Sequence, residues 1–175
     1  MKKIRSSAGF TLIELLVVIG ILGILASSLI ATIDPFEQLK KGQDANVKNT
    51  AAEFVNANIR FYTTHNELPW VNNSTCSSEA GGTTPSAKNL AGMTTGCLGA
   101  LVGDGELKPG FTTVTNTLKE ILVSGNANDV IACFKPQSKA QQRDANTIYN
   151  SSGTATTGCA STSGSSGTYC YWCAK

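Results

Sequence analysis

The chain has 175 residues, 41% of them hydrophobic and 15% charged, and carries a formal net charge of +2. This length holds one modest domain beyond any membrane anchor. The near balance of charge argues against nucleic acid as a partner. A single histidine, His65, leaves no Ser/His/Asp set, and neither a phosphate-binding glycine loop nor a paired-carboxylate pocket is present.

Residues 1–9 form a short polar leader with Lys2, Lys3 and Arg5. Removing it takes away three of the 14 cations and leaves 11 Lys/Arg against 12 Asp/Glu, so the remaining chain carries −1. The basic balance belongs to the leader. From Phe10 to Ile33 run 24 residues whose only charge is Glu14. As a helix this run is about 36 Å long, enough to span a hydrocarbon core of about 30 Å. A carboxylate near the start of such a helix needs a partner, which makes Glu14 a functional candidate.

The residues Gly9-Phe10-Thr11-Leu12-Ile13-Glu14, set between a basic leader and an apolar run, resemble the processing signature of type IV prepilins and type II secretion pseudopilins. The resemblance implies that a prepilin peptidase cuts between Gly9 and Phe10 and methylates the new amino terminus of Phe10. It further implies that Glu14 meets the Phe10 amine of an adjacent subunit as a helical filament grows. An inner-membrane assembly platform and other copies of the chain or related pilins are then its partners, with no cofactor and no small-molecule substrate. A buried carboxylate is tolerated when a cation pairs with it. Two plainer readings compete: a secretory signal peptide cut near Ala26-Ser27-Ser28, and a simple single-pass anchor. The flanking charges, Lys2, Lys3 and Arg5 against Lys40 and Lys41, orient the span only weakly.

Within the apolar run, Gly20, Gly23, Ser27 and Ala31 gather small residues on one helix face, as closely packed helices require. Asp34-Pro35 predicts a kink or break at the membrane exit. Helical periodicity resumes over Phe36–Thr64, with Val47, Ala51, Phe54 or Val55, Asn58 and Tyr62 on one side and Ile59 beside them. Helix from Phe10 to Thr64 would be about 80 Å long, more than a domain of this size needs. The segment His65-Asn66-Glu67-Leu68-Pro69-Trp70 ends it, in a manner similar to the close of the long helix in many pilins. His65 reads as an exposed helix-end residue without a ligand partner.

Beyond it, Val71–Ala91 is rich in Asn, Ser, Thr and Gly and reads as loop. Leu98–Leu107 is weakly apolar, and Leu107-Lys108-Pro109 resembles the turn that precedes the sheet in pilin-like heads. Val114, Leu118, Ile121 and Leu122 have helical spacing within Thr112–Ser124. Asp129–Phe134, Asn146–Asn150 and Thr168–Ala174 read as strands, two of them separated by the Gly/Ser/Thr tract Ser151–Gly167. An antiparallel sheet packed on the amphipathic helix would bury Val130, Ile131, Phe134, Ile148, Tyr169 and Tyr171. The expected fold is thus α+β: a leader (1–9), a membrane or filament-core helix (10–33), an amphipathic half-helix (34–65) and a disulfide-bonded head (66–175).

All six cysteines, Cys76, Cys97, Cys133, Cys159, Cys170 and Cys173, lie in the head. An even count beyond the membrane predicts disulfides and an extracytoplasmic location. Cys170-Tyr171-Trp172-Cys173 has the spacing of a redox centre or half a zinc site. On a strand, however, positions i and i+3 face opposite sides, so each bonds a different partner more naturally. Of the 15 connectivities open to six cysteines, the favoured set is Cys76–Cys97, Cys133–Cys173 and Cys159–Cys170. Asp104 and Glu106 form a conceivable calcium pair. Major pseudopilins carry calcium in an Asp- and Gly-rich C-terminal loop, whereas Ser151–Gly167 contains no carboxylate. Asn72-Asn73-Ser74-Thr75 and Asn150-Ser151-Ser152 contain N-x-S/T triplets that glycosylation could use. A filament subunit is therefore the expected function. The alternatives are a secretion pseudopilin, a minor pilin acting as adhesin or DNA-uptake module, and a tethered thiol oxidoreductase at Cys170 and Cys173.

Overall fold

A computed structural model describes residues 9–32, 34–156 and 170–175, with backbone alone at Ala31 and Thr32. Lys2, Lys3, Arg5, Ile33, Cys159, Tyr169 and the tract 157–167 therefore lie outside the described residues. The chain divides into two compact units, Met1–Phe36 and Glu37–Lys175.

The first unit holds α1, Leu12–Thr32. Its stretch Leu12–Ile30 has a mean hydropathy of 2.5 and is the one helix, among the described residues, long and apolar enough to cross a membrane. All its described side chains are exposed, as expected of a helix whose apolar surface is meant for lipid or for other helices.

Helix α2, Pro35–His65, follows with proline at its first position. Asp34 Oδ1 accepts from Phe36 N at 3.1 Å, an N-cap that starts the new helix. The break expected at Asp34-Pro35 and the end at His65 both occur. The buried face of α2 comprises Asp44, Val47, Ala51, Phe54, Val55, Ala57, Asn58 and Phe61. The expected positions Val47, Ala51, Phe54, Val55 and Asn58 are all buried and Tyr62 is half-buried against the core, while Ile59 beside them is 48% exposed, because the stripe leans toward Phe61 and extends back to Asp44.

The head contains more helix than its composition suggests. The segment read as loop from Val71 to Ala91 instead holds part of α3 (Pro69–Asn72), α4 (Ser74–Ala80) and β1 (Lys88–Asn89). Asn73 Oδ1 accepts from Thr75 N and Cys76 N at 2.9 and 3.1 Å to start α4. Gly81, at φ 81°, ends it in the left-handed conformation. Burial of Cys76 and Ala80 then outweighs the polar sequence. Helix α5, Cys97–Gly103, buries Leu98 and Leu101, and Leu107 joins them.

The helix expected over Thr112–Ser124 is also corrected. Only Thr115–Lys119 is helical (α6), and Ile121–Gly125 is strand β2. Ile121, Leu122 and Val123 suit a strand, and pairing with β3 (Val130–Phe134) supplies what their local spacing could not. Helix α7 spans Lys139–Gln142 and β4 spans Trp172–Ala174. The sheet has the order β1-β2-β3-β4 and is antiparallel throughout, with Val123 opposite Ala132 and Cys133 opposite Cys173.

The second expected strand, Asn146–Asn150, reduces to bridges from Tyr149 to Ala155 and Tyr171. Of the residues expected inside, Val130 and Phe134 are buried, while Ile131, Ile148 and Tyr171 are half-buried. Val130, Ala132 and Phe134 share one core with the buried face of α2. Lys48 of α2 lies 4.7 Å over the Trp172 ring. Trp70, fully buried, donates from Nε1 to Asn126 O at 2.9 Å and ties α3 to the β2–β3 turn.

Candidate processing and assembly site

Gly9 and Phe10 precede the first turn of α1, and both are exposed, with nothing within 4 Å of a Cβ placed on Gly9. Thr11 opens the helix. Its hydroxyl accepts from Glu14 N at 3.3 Å, while Glu14 Oε2 accepts from Thr11 N at 2.9 Å. The Thr11 hydroxyl also donates to that same Oε2 at 2.6 Å. Thr11-Leu12-Ile13-Glu14 is thus a reciprocal capping box, in which a carboxylate three residues into the helix satisfies the first amide. The pattern T-x-x-E before an apolar run is readable in the sequence; its capping role is a local signal the sequence reading did not use. In the single subunit, the polar partner of Glu14 is therefore Thr11, on its own chain.

The small-residue face is open at Gly20 and Gly23, where an added Cβ would meet nothing within 4 Å. Ser27 is turned onto its own helix, donating to Ile24 O at 2.8 Å. The side chain of Ala31 is not among those described.

Disulfides join Cys76 to Cys97 and Cys133 to Cys173. Cys170 is also disulfide-bonded, and Cys159 lies outside the described residues. Cys170 and Cys173 consequently do not form a dithiol centre with one another: Cys173 bonds across the β3–β4 pair to the residue directly opposite.

His65 closes α2 and is exposed, as expected, and the fold brings a carboxylate near it. Its Nε2 is 3.5 Å from Asp104 Oδ2, and its ring stacks on Phe61 at 4.0 Å. Asp104 and Glu106 do not converge. Glu106 Oε2 instead accepts from Arg60 Nε at 2.7 Å, and Arg60 Nη2 donates to Glu106 O at 2.6 Å. Among the described residues no group of three or more His, Cys, Asp or Glu side chains could hold a metal ion. Two of the candidate glycosylation residues are engaged: Asn73 caps α4, and Asn150 Oδ1 accepts from Ser152 N and Thr154 N, each at 3.0 Å. Asn72 is exposed.

The fold and the front of α1 define a class: an α+β chain with a long apolar N-terminal helix followed by a small antiparallel sheet, pilin-like in plan. Residues 4–30 match the family model of the prokaryotic N-terminal methylation motif, so the chain carries the type IV pilin and pseudopilin signature. That signature is carried by structural pilin subunits and implies processing by a prepilin peptidase and assembly into filaments; with the apolar helix it is consistent with a membrane-anchored precursor. Comparison with the curated proteins and with the solved structures gave no match for this chain.

Proposed function

We propose that the protein is a structural prepilin of a type IV pilus-like filament. The peptidase cuts between Gly9 and Phe10 and methylates Phe10, and Glu14 then attracts that terminus on a neighbouring subunit while both lie in the membrane. The head, outside the cytoplasm, decorates a core built from apolar helices. The single observation that carries this reading is the methylation motif at residues 4–30, running directly into an exposed apolar helix. Disulfides in the head agree with an oxidising compartment. Cys159–Cys170 is the remaining pair proposed.

The capping box gives the assembly step a physical form. Before assembly Glu14 is held by Thr11, a neutral partner in its own chain. A cationic amine offered by a neighbour is a stronger partner for a carboxylate in a low-dielectric surround, so the exchange favours docking. Non-reduced mass spectrometry of protein recovered from cells tests the reading. A chain beginning at methylated Phe10 with three disulfides is expected. A chain beginning near Ser28, or an intact Met1, would overturn it.

A further inference from the structure

We propose that the head carries a cationic face, formed by Lys40, Lys41, Lys139 and Arg143, that rests on the anionic phospholipid headgroups of the membrane holding the precursor. The proposal rests on the membrane-anchored reading above. Its first observation is how α7 is attached. Glu37 Oε1 accepts from Lys139 N at 2.6 Å, and Asp44 accepts from Gln137 N, Ser138 N and Ser138 Oγ at 2.6–3.2 Å. Those two carboxylates stand seven residues apart on α2, nearly in line at about 100° per residue. Lys40 and Lys41 lie between them in sequence, about 60° to one side and about 40° to the other. The α7 docking line is therefore flanked by a lysine on each side, and α7 adds Lys139 and, at its end, Arg143.

The second observation is the state of the charges. Lys40, Lys41, Lys139 and Arg143 are all exposed, and among the described residues none of them has an ion-pair partner. Of the neighbouring carboxylates, Asp44 is 4% exposed, Glu37 is half-buried against Lys139 N, Asp144 is half-buried and accepts from Asn146 N at 2.8 Å, and Asp34 is exposed and caps Phe36 N at 3.1 Å. Four exposed cations therefore stand here against the exposed carboxylate of Asp34, although the chain without its leader is slightly negative. The third observation is chain continuity. The apolar span ends at Ile30, and Glu37 follows only seven residues later. Clustered Lys and Arg immediately after a span are the chemistry that anionic lipid surfaces recognise, acting within about a Debye length of the headgroups. Contact with lipid would hold the precursor until its neighbour in the filament replaces that surface.

The test uses the full chain reconstituted in phosphatidylcholine vesicles, with or without about 30 mol % phosphatidylglycerol, and a water-soluble lysine-acylating reagent read by peptide mass spectrometry. Lys40, Lys41 and Lys139 should react at least about threefold more slowly in the anionic vesicles, with the effect lost at about 0.5 M salt. Lys88 and Lys119 should react equally in both. Lys139→Glu/Arg143→Glu should remove the slowing at Lys40 and Lys41. Equal rates in both vesicles would overturn the proposal. So would slowing that appears in phosphatidylcholine alone and rises with protein-to-lipid ratio, which would assign the face to a second copy. Flotation of the chain with phosphatidylcholine vesicles after alkaline wash reports separately on the membrane-anchored reading, so the two can fail independently.

Discussion

Asp44 of α2 and Ser138, 94 positions later, are in direct contact: Asp44 Oδ2 accepts from Ser138 N at 2.8 Å and from Ser138 Oγ at 2.6 Å. Both residues are buried. Asp44 Oδ1 also takes Gln137 N at 2.9 Å, so one carboxylate serves the amides that lead into α7. Asp44→Ala leaves these buried donors without an acceptor and should lower stability by about 2–3 kcal/mol. Ser138→Ala removes one donor and should cost about 1 kcal/mol. Urea denaturation of the full chain in detergent distinguishes the two, and equal small losses would show that water reaches the site.

Two glycines admit the chain at places where a side chain would collide. At Gly96 an added Cβ would collide with Cys76 N and meet Thr75 C at 2.6 Å, rigid backbone beside the Cys76–Cys97 bridge. At Gly153, φ is +80° and the Cβ would meet the Ile131 side chain at 2.5 Å. Gly96→Ala should therefore cost more, about 3 kcal/mol or above, than Gly153→Ala at about 1–2 kcal/mol. Combining Gly153→Ala with Ile131→Ala should recover only the steric part, since the positive φ remains. Thermal melts of these three variants, read against Ile131→Ala alone, check the order.

Arg60 and Glu106 connect the end of α2 to the loop after α5 through two short bonds. The Arg60 side chain is 52% exposed, so solvent screens much of the attraction. Arg60→Ala should cost no more than about 1 kcal/mol, less at high salt. Arg60→Lys should recover little, because a lysine cannot reproduce the paired donors. A larger, salt-independent loss would mean that the Arg60 stem packs more than the charge contributes.

Glu14→Gln separates the two roles of that residue. A glutamine at the third helical position still accepts from Thr11 N, so the capping box and the start of α1 should survive. The charge available to a neighbour's amine is gone. Circular dichroism in detergent should match the native chain and cleavage after Gly9 should proceed, while filament yield falls at least about tenfold, the loss expected when a charge-assisted contact is removed. Normal filaments from this variant would sink the proposed role of Glu14.

Reduction tests the head. With Cys133→Ser and Cys173→Ser together, β4 loses its covalent tie to β3 and keeps the short pairing from Ala132–Ala174 to Phe134–Trp172 and the Trp172 ring contacts. The two changes should cost about 2–4 kcal/mol, and amide exchange should rise first at Trp172–Ala174. Uniform loosening of the whole sheet would contradict this local picture.

What could be read from residues alone was local and covalent in origin. The leader charges, the Gly9–Glu14 motif, the uninterrupted apolar run and the proline at position 35 each act within a turn or two of helix, so neighbouring residues suffice to reveal them. The capping box was legible by the same logic. The head was different. Whether Ile121–Val123 is helix or strand depends on β3, nine or more residues away. Whether Ser74–Ala80 is loop or helix depends on burying Cys76 and Ala80. Nothing in the residues around Asp44 marks it as buried; its burial is decided by amides more than 90 residues distant. Tertiary contact selects among local preferences worth only fractions of a kcal/mol per residue, and that choice lies beyond any short window of sequence.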